Sequence, residues 1–253
     1  MNAKRWSITG VAGSWVMTPK TEQLADIVCI AFDFDGTLVD SNSIKYDAFF
    51  EVLGDVPHAF PFLEDLLKHS YTETRHTVFA KVANHLLPNE ADKAAALATQ
   101  YVQDYSVVTE RRVAASPEIS GAEAMLERLH VKGYTLAVVS ATPAPSLTKT
   151  IEKRGWRNKF SYVYGAPASK ADNLRDLSQS LAILPQQMIM VGDRKNDLQG
   201  AEAIKCPFIG LIRPDSDFNF TPQYAIQHLD DLDAMIEHIS AETHHEPIKL
   251  QNL

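Results

Sequence analysis

Cysteine is scarce in this chain: Cys29 and Cys206 are the only two in 253 residues, both set in apolar runs, IVCIAF and IKCPFIGLI. So few thiols exclude a disulfide framework and point to a reducing compartment, the cytoplasm. Long apolar runs are missing too, since no uninterrupted stretch approaches the roughly 18 residues a membrane helix needs. Basic residues are outnumbered, 24 Lys and Arg against 32 Asp and Glu, for a formal net charge of −8. That balance excludes a broad phosphate-neutralising face for nucleic acid and a polybasic membrane anchor. The deficit is local: residues 213–253 hold eight acidic and two basic residues, so the rest of the chain is nearly neutral. What remains is ordinary, with 45% hydrophobic and 22% charged residues. This is a globular composition, long enough to bury a core without a metal or disulfide staple.

The first 26 residues read as a flexible leader. Lys4 and Arg5 precede WSITGVAGSWVM, but Gly and Ser break that run and deny it the continuous apolar region of a secretory signal. From Ile27 the pattern changes. IVCIAFDF is short, apolar and rich in β-branched residues, as a strand buried on both faces of a parallel sheet should be. YTLAVVS, FSYVYG, QMIMVG and PFIGLI repeat the pattern, ending at Ser140, Gly165, Gly192 and Ile212. Between them, apolar residues fall at helical spacing: Met125 with Leu129, Leu147 with Ile151, and Leu174, Leu177 and Leu181. Strands alternating with helices predict an α/β fold, a doubly wound parallel sheet with helices on both faces.

One gap interrupts the alternation. Between the first and second strands the chain is helix-like throughout, far beyond a single-helix crossover. It runs through SIKYDAFFEVLG, the segment 57–69, TETRHTVFAKVANHLL and an Ala-rich stretch from Asn89. Asn89 is placed to cap that last helix, with Glu90 and Asp92 in its first turn. The expected organisation is a core of residues 27–42 and 113–240, an all-helical insertion at 43–112 and a polar tail at 241–253. The core ends in an amphipathic helix carrying Leu229, Leu232, Met235, Ile236 and Ile239.

In an open parallel sheet, ligands bind at the carboxyl ends of the strands, near the point where strand order reverses. The first strand delivers Asp33-Phe34-Asp35-Gly36-Thr37 there, the second Ser140-Ala141-Thr142, and the fourth Gly192-Asp193-Arg194-Lys195-Asn196-Asp197; the third leads through GAPAS to Lys170. Each alone has a plain explanation. Asp-x-Asp-Gly makes turns, Ser140 could cap a helix ahead of Pro143, Lys170 could be a surface lysine, and GDRKND could be a loop. Their joint placement on one sheet edge is what carries chemistry.

That ordered set, DFDGT, a strand ending in Ser, a Lys and then GDRKND, resembles the haloacid dehalogenase superfamily, chiefly its phosphatase branch. An insertion directly after the first motif is similar to the phosphoglycolate phosphatase and β-phosphoglucomutase group, which implies a Rossmann-like core with a helical cap. The resemblance implies that Asp33 is the nucleophile attacking phosphorus and Asp35 the general acid and then base. A carboxylate facing a phosphate dianion is repelled, so a cation is needed, and Mg2+ fits the hard oxygen donors. Its site would draw on Asp33, Asp193 and the backbone carbonyl of Asp35, with Asp197 orienting a bound water. Gly36, Thr37, Ser140, Ala141 and Lys170 would contact substrate, joined from the insertion by Arg75 and, as a weaker candidate, Lys45. Arg111 and Arg112 mark the exit of the insertion, and His244-His245 a solvated tail.

The carboxylate at Asp35 disfavours the dehalogenase and phosphonoacetaldehyde-cleaving branches, which lack it. Ser-Ala-Thr in the second motif keeps a sugar-phosphate mutase in view, although NSIKYDAFF lacks the His and Trp typical of β-phosphoglucomutase. A catalytically silent binding module is the rival of a different kind, and intact Asp33, Asp35, Lys170 and Asp193 argue against it. The expectation is a phosphatase acting on a small phosphorylated metabolite, with no nucleic-acid or membrane partner and an open oligomeric state.

Overall fold

The structure is a computed structural model and describes residues 6–9, 16–19, 26–69 and 74–245. Near the N-terminus, β1 (Trp6–Thr9) and β2 (Val16–Pro19) pair antiparallel. The other residues up to 25, and with them the expected flexibility of the leader, lie outside the described residues. So do residues 246–253 of the polar tail.

The core is a six-stranded sheet in which β3 (Cys29–Phe32) lies between β4 (Thr135–Pro143) and β6 (Met188–Gly192). Strand β5 (Tyr162–Ala166) lies outside β4, and β7 (Phe208–Leu211) then β8 (Tyr224–Ile226) lie outside β6. Every pairing in this sheet is parallel. The five strands expected from apolar runs are present. Strand β8 was not foreseen: three residues carry no readable alternation, and they become a strand because β7 offers an open edge in register, Ile209 opposite Tyr224 and Leu211 opposite Ile226.

Strand periodicity sends alternate residues to opposite faces, and the core divides accordingly. Ile30, Phe32, Leu136, Val138, Ile189 and Val191 point one way. They pack against α5 (Ala122–Val131), α6 (Ala144–Lys153) and α9 (Leu232–His245) through Met125, Leu129, Leu147, Ile151 and Ile236. Cys29, Ala31, Ala137, Val139, Met188 and Met190 point the other way, against α7 (Lys170–Leu181) and α8 (Lys195–Glu202). Both cysteines are buried free thiols whose pKa values burial raises.

Between β3 and β4 the chain forms α1 (Asn42–Val52), α2 (Phe60–His69), α3 (Arg75–Leu86) and α4 (Ala91–Ala115). Ala83, Ala94 and Ala98 let α3 and α4 approach closely, while Phe79, Ala48 and Tyr105 close the space against α1. The expected cap at Asn89 is corrected: α4 starts one residue later, after Glu90, whose side chain makes no cap bond and pairs instead with Lys93. Helix α4 also runs past the expected exit at residue 112. Arg154 receives its end, donating from Nη1 to the carbonyl of Ser116 at 2.7 Å and to those of Val113 and Ala114 at 3.4 Å. Arg112, in the last turn, pairs with Glu51 of α1 at 2.7 Å. Among the described residues no helix is long and apolar enough to cross a membrane.

Candidate active site

The strand order reverses between β3 and β6, and the loops that leave those two strands carry most of the acids identified in the sequence. Asp33, Asp193 and Asp197 meet there, each offering one carboxylate oxygen within 4.8 Å of the other two, each side chain buried. Lys170 enters from the first position of α7, where Ser169 caps the helix by accepting from the Asp172 amide at 3.1 Å. Its ammonium donates to Asp197 Oδ1 and lies 3.0 Å from Asp33 Oδ1. The other oxygen of Asp197 accepts from the Arg194 amide at 3.0 Å. Asp193 accepts from Thr37 Oγ1 at 3.1 Å and from Asn42 Nδ2 at 2.9 Å, with Arg194 Nε 3.3 Å away. Burial would discharge Lys170, but Asp197 and Asp33 overcome it and hold the ammonium charged. Burial raises the Asp193 carboxyl to about 6, reinforced by Asp33, and raises Asp197 well above the usual carboxylate range.

Asp35 faces elsewhere. Its carboxylate is outside the cluster of three and turns toward α1 and β4. Ser41 Oγ donates to Oδ1 at 2.6 Å, while Thr142 Oγ1 at 2.8 Å and the Lys45 ammonium donate to Oδ2. Burial works against ionisation of Asp35, yet the Lys45 charge and these three donors hold its pKa below the usual carboxylate range. Ser140 is buried at the same strand end as Thr142, whose amide donates to Ser140 Oγ at 3.1 Å, and Ala141 between them is exposed.

Residues 30–211 match the family described as haloacid dehalogenase-like hydrolase. The chain belongs to that family. Phosphoglycolate phosphatase of Aliivibrio fischeri is 31% identical over 211 residues, which cover 74% of this chain and 84% of the relative. The phosphoglycolate phosphatase of Escherichia coli K12 is 29% identical over 209 residues, 74% of this chain and 81% of its own. Two solved structures share the fold. A predicted phosphoglycolate phosphatase from Haemophilus somnus aligns with TM-score 0.65 at 20% identity, covering 84% of this chain and 99% of its own. CbbY from Rhodobacter sphaeroides in complex with phosphate aligns with TM-score 0.65 at 18% identity, covering 83% and 99%. This haloacid dehalogenase-like hydrolase is a phosphatase, phosphoglycolate phosphatase-like in sequence.

Whether its residues suit a metal ion is a question of charge and donors. Three buried carboxylates face one buried ammonium and the flank of Arg194, and the pKa of Asp193 is raised by burial first and by the Asp33 charge second. Every donor in the cluster is a hard oxygen, the kind that holds Mg2+. The residues therefore fit a divalent cation.

The structure brings Asp33, Lys170, Asp193 and Asp197 into one cluster, with Thr37 buried behind Asp193 and Asp35 beside it. Gly36 adopts φ +80°, and a Cβ there would overlap Asn42 Nδ2 and Asp193 Oδ2. Arg75 is held within the insertion: its Nη1 donates to Ser106 at 3.3 Å and its guanidinium lies 5.6 Å from the centre of the Tyr105 ring. Burial lowers its pKa, against the opposing charges of Tyr105 and Asp35. Sequence reasoning gave no role to Thr142, Ser41, Asn42 or Asp215. Thr142 was legible, two residues beyond Ser140 along the strand, at the spacing that repeats a face. Asp215 was not, because it lies in the irregular loop after β7 and is recognised only where Asn42 Nδ2 donates to it at 2.8 Å.

Gly192 tests how tightly the cluster is held. A Cβ at this position would overlap the Asp197 carboxyl. Gly192→Ala should therefore keep the fold by circular dichroism and lose kcat on the order of a hundredfold, the penalty for displacing catalytic groups by about 1 Å. Unchanged kcat would show that Asp197 can move without consequence.

Proposed function

We propose that this chain is a Mg2+-dependent phosphomonoesterase that acts on a small phosphorylated metabolite through a phosphoryl-enzyme intermediate on Asp33. The observation that supports it is the division of labour among carboxylates. Asp33 lies in the cation-suited cluster against Lys170, while Asp35, two residues on, is held apart by three donors.

In this reading an Asp33 carboxylate oxygen attacks phosphorus and the ester P–O bond breaks as Asp35 gives a proton to the leaving oxygen. A water that yields its proton to Asp35 then attacks the aspartyl-phosphate, the new P–O bond breaks, and the Asp33 carboxylate returns with release of phosphate. Lys170 and the Ser140 hydroxyl stabilise charge on the transferred group, the dominant need in phosphoryl transfer. Asp33 and Asp193 would hold Mg2+, with Asp197 orienting from behind; when bound, the ion offsets the charge of nucleophile and phosphate. The helices α1 to α4 act as the cap and core residues 27–42 and 113–240 as the catalytic body. A cap over the site favours small substrates and excludes bulk water. Its relatives make 2-phosphoglycolate the first compound to try. The buried free thiols suit a reducing compartment, the cytoplasm.

Hydrolysis of p-nitrophenyl phosphate should require Mg2+, cease with EDTA and return when Mg2+ is restored in excess. Metal-independent turnover, or none on any phosphate ester, defeats the proposal. Conversion of glucose 1-phosphate to the 6-phosphate without phosphate release would show a mutase instead.

A further inference from the structure

We infer that Lys45 and Thr142 are positioning residues for Asp35, fixing its carboxylate on the leaving-group side of the site, with Lys45 doing so from the helical insertion. The inference rests on the reading of Asp35 as proton donor and acceptor.

Three separate elements converge on one carboxylate. Asp35 sits on the turn after β3, Thr142 at the carboxyl end of β4 and Lys45 in the first turns of α1. Ser41 Oγ holds Oδ1 at 2.6 Å, and Thr142 Oγ1 holds Oδ2 at 2.8 Å. The Lys45 ammonium closes a triangle, donating to Asp35 Oδ2 and, at 2.8 Å, to Thr142 Oγ1. A carboxylate tethered at one oxygen can still rotate about Cβ–Cγ. Held at both oxygens by groups on different elements, it cannot. Proton transfer demands this, since donor and acceptor must meet at hydrogen-bond distance.

Lys45 is itself located by the insertion. Tyr105 of α4 donates its hydroxyl to the Lys45 carbonyl at 3.2 Å, and its ring packs on Phe49 with centroids 4.6 Å apart. Arg75 of α3 lies over the same ring, 5.6 Å from its centre. The Lys45 side chain is 28% exposed against 10% for Asp35, so the ammonium lies at the solvent edge of the pair. An exposed ion pair would be worth little. This one is partly buried, shared with a hydroxyl and attached at both ends to ordered structure, so its effect is geometric.

The test compares Lys45→Met, Thr142→Val and Thr142→Ser with wild type, at saturating Mg2+, on p-nitrophenyl phosphate and on β-glycerol phosphate. Nitrophenolate leaves without needing a proton, whereas the alkoxide does not. Lys45→Met and Thr142→Val should therefore keep a near-normal pre-steady-state burst of nitrophenolate, because attack by Asp33 is intact. Steady-state kcat on both substrates should fall roughly ten- to a hundredfold, a fraction of what general acid–base catalysis contributes, and on p-nitrophenyl phosphate KM should fall in step because the phosphoryl-enzyme accumulates. Thr142→Ser keeps the hydroxyl and should retain most of wild-type kcat.

Equal losses in burst rate and steady state would mean a merely structural role and overturn the inference, as would normal turnover in both Lys45→Met and Thr142→Val. Because Thr142 and Lys45 sit on different elements, misfolding of one variant by thermal unfolding leaves the other to decide. Asp35→Asn, run in parallel, separates the two levels. If it turns over normally, the role of Asp35 itself falls and the inference with it. If it is inactive while Lys45→Met and Thr142→Val are normal, the inference alone falls.

Discussion

Asp33→Asn should fold as wild type does and lose steady-state turnover by on the order of a thousandfold or more, the scale seen when a nucleophile is removed. The amide fills the same volume but cannot attack phosphorus. Folding should survive because Lys170 keeps Asp197 as partner when the Asp33 charge goes. The change also relieves the opposition between Asp33 and Asp193, one reason the latter is raised to about 6 after burial. Acid-quenched wild-type enzyme mixed with substrate should carry one added phosphoryl group by mass spectrometry, and the variant none. Near-normal turnover, or a phosphoryl group still trapped on the variant, would remove Asp33 as nucleophile.

Lys170→Met should be damaging in two ways. Lys170 is 8% exposed, Asp197 0% and Asp33 5%, so removing the ammonium leaves buried carboxylates without their balancing charge. Breaking a buried pair in this way costs about 3–5 kcal/mol of stability. Loss of a fixed charge at the transferred phosphoryl group should lower kcat by roughly a hundred- to a thousandfold. The stability gap should narrow as pH falls. Lys170 stays charged throughout, held so by Asp197 and Asp33 against its own burial, whereas protonation of Asp197, which burial already favours, removes the charge that needed balancing. Urea unfolding across pH, with and without millimolar Mg2+, measures this, and the divalent ion should restore part of the lost stability. A variant as stable and as active as wild type would show that Lys170 is peripheral.

Much of the fold was legible because buried parallel strands announce themselves as apolar runs, as β3 to β7 did. Strand β8 carried no such mark, since three residues acquire strand geometry only when β7 lies alongside. The cap of α4 was misplaced for a local reason, because an Asn at a plausible position does not outweigh a helix that begins after Glu90, whose side chain pairs with Lys93 of the first turn. In the site, Asp33, Asp35, Lys170 and Asp193 could be named from four motifs at the ends of successive strands. Of the partners of Asp35, Lys45 could be named only as a weaker substrate contact and Thr142 only by its place after Ser140. That Lys45 meets Asp35 emerges once α1 is placed against β4.

The sequence by itself determined the alternation of strands and helices, the long helical interruption and the order in which carboxylates, a hydroxyl and an ammonium reach one sheet edge. Those properties depend on periodicity along the chain and on chain order, which are linear quantities. Only the tertiary structure decided how the carboxylates divide. Asp33, Asp193 and Asp197 gather within 4.8 Å around Lys170, while Asp35 is turned away and held by Ser41, Thr142 and Lys45. Which oxygen faces which donor depends on the packing of α1 between α4 and the sheet edge, and no spacing in the chain encodes that. The scarcity of basic residues looks different in that light. An acidic chain places individual cations, Lys170 in the core and Lys45 on the insertion, against the carboxylates that would carry out the reaction.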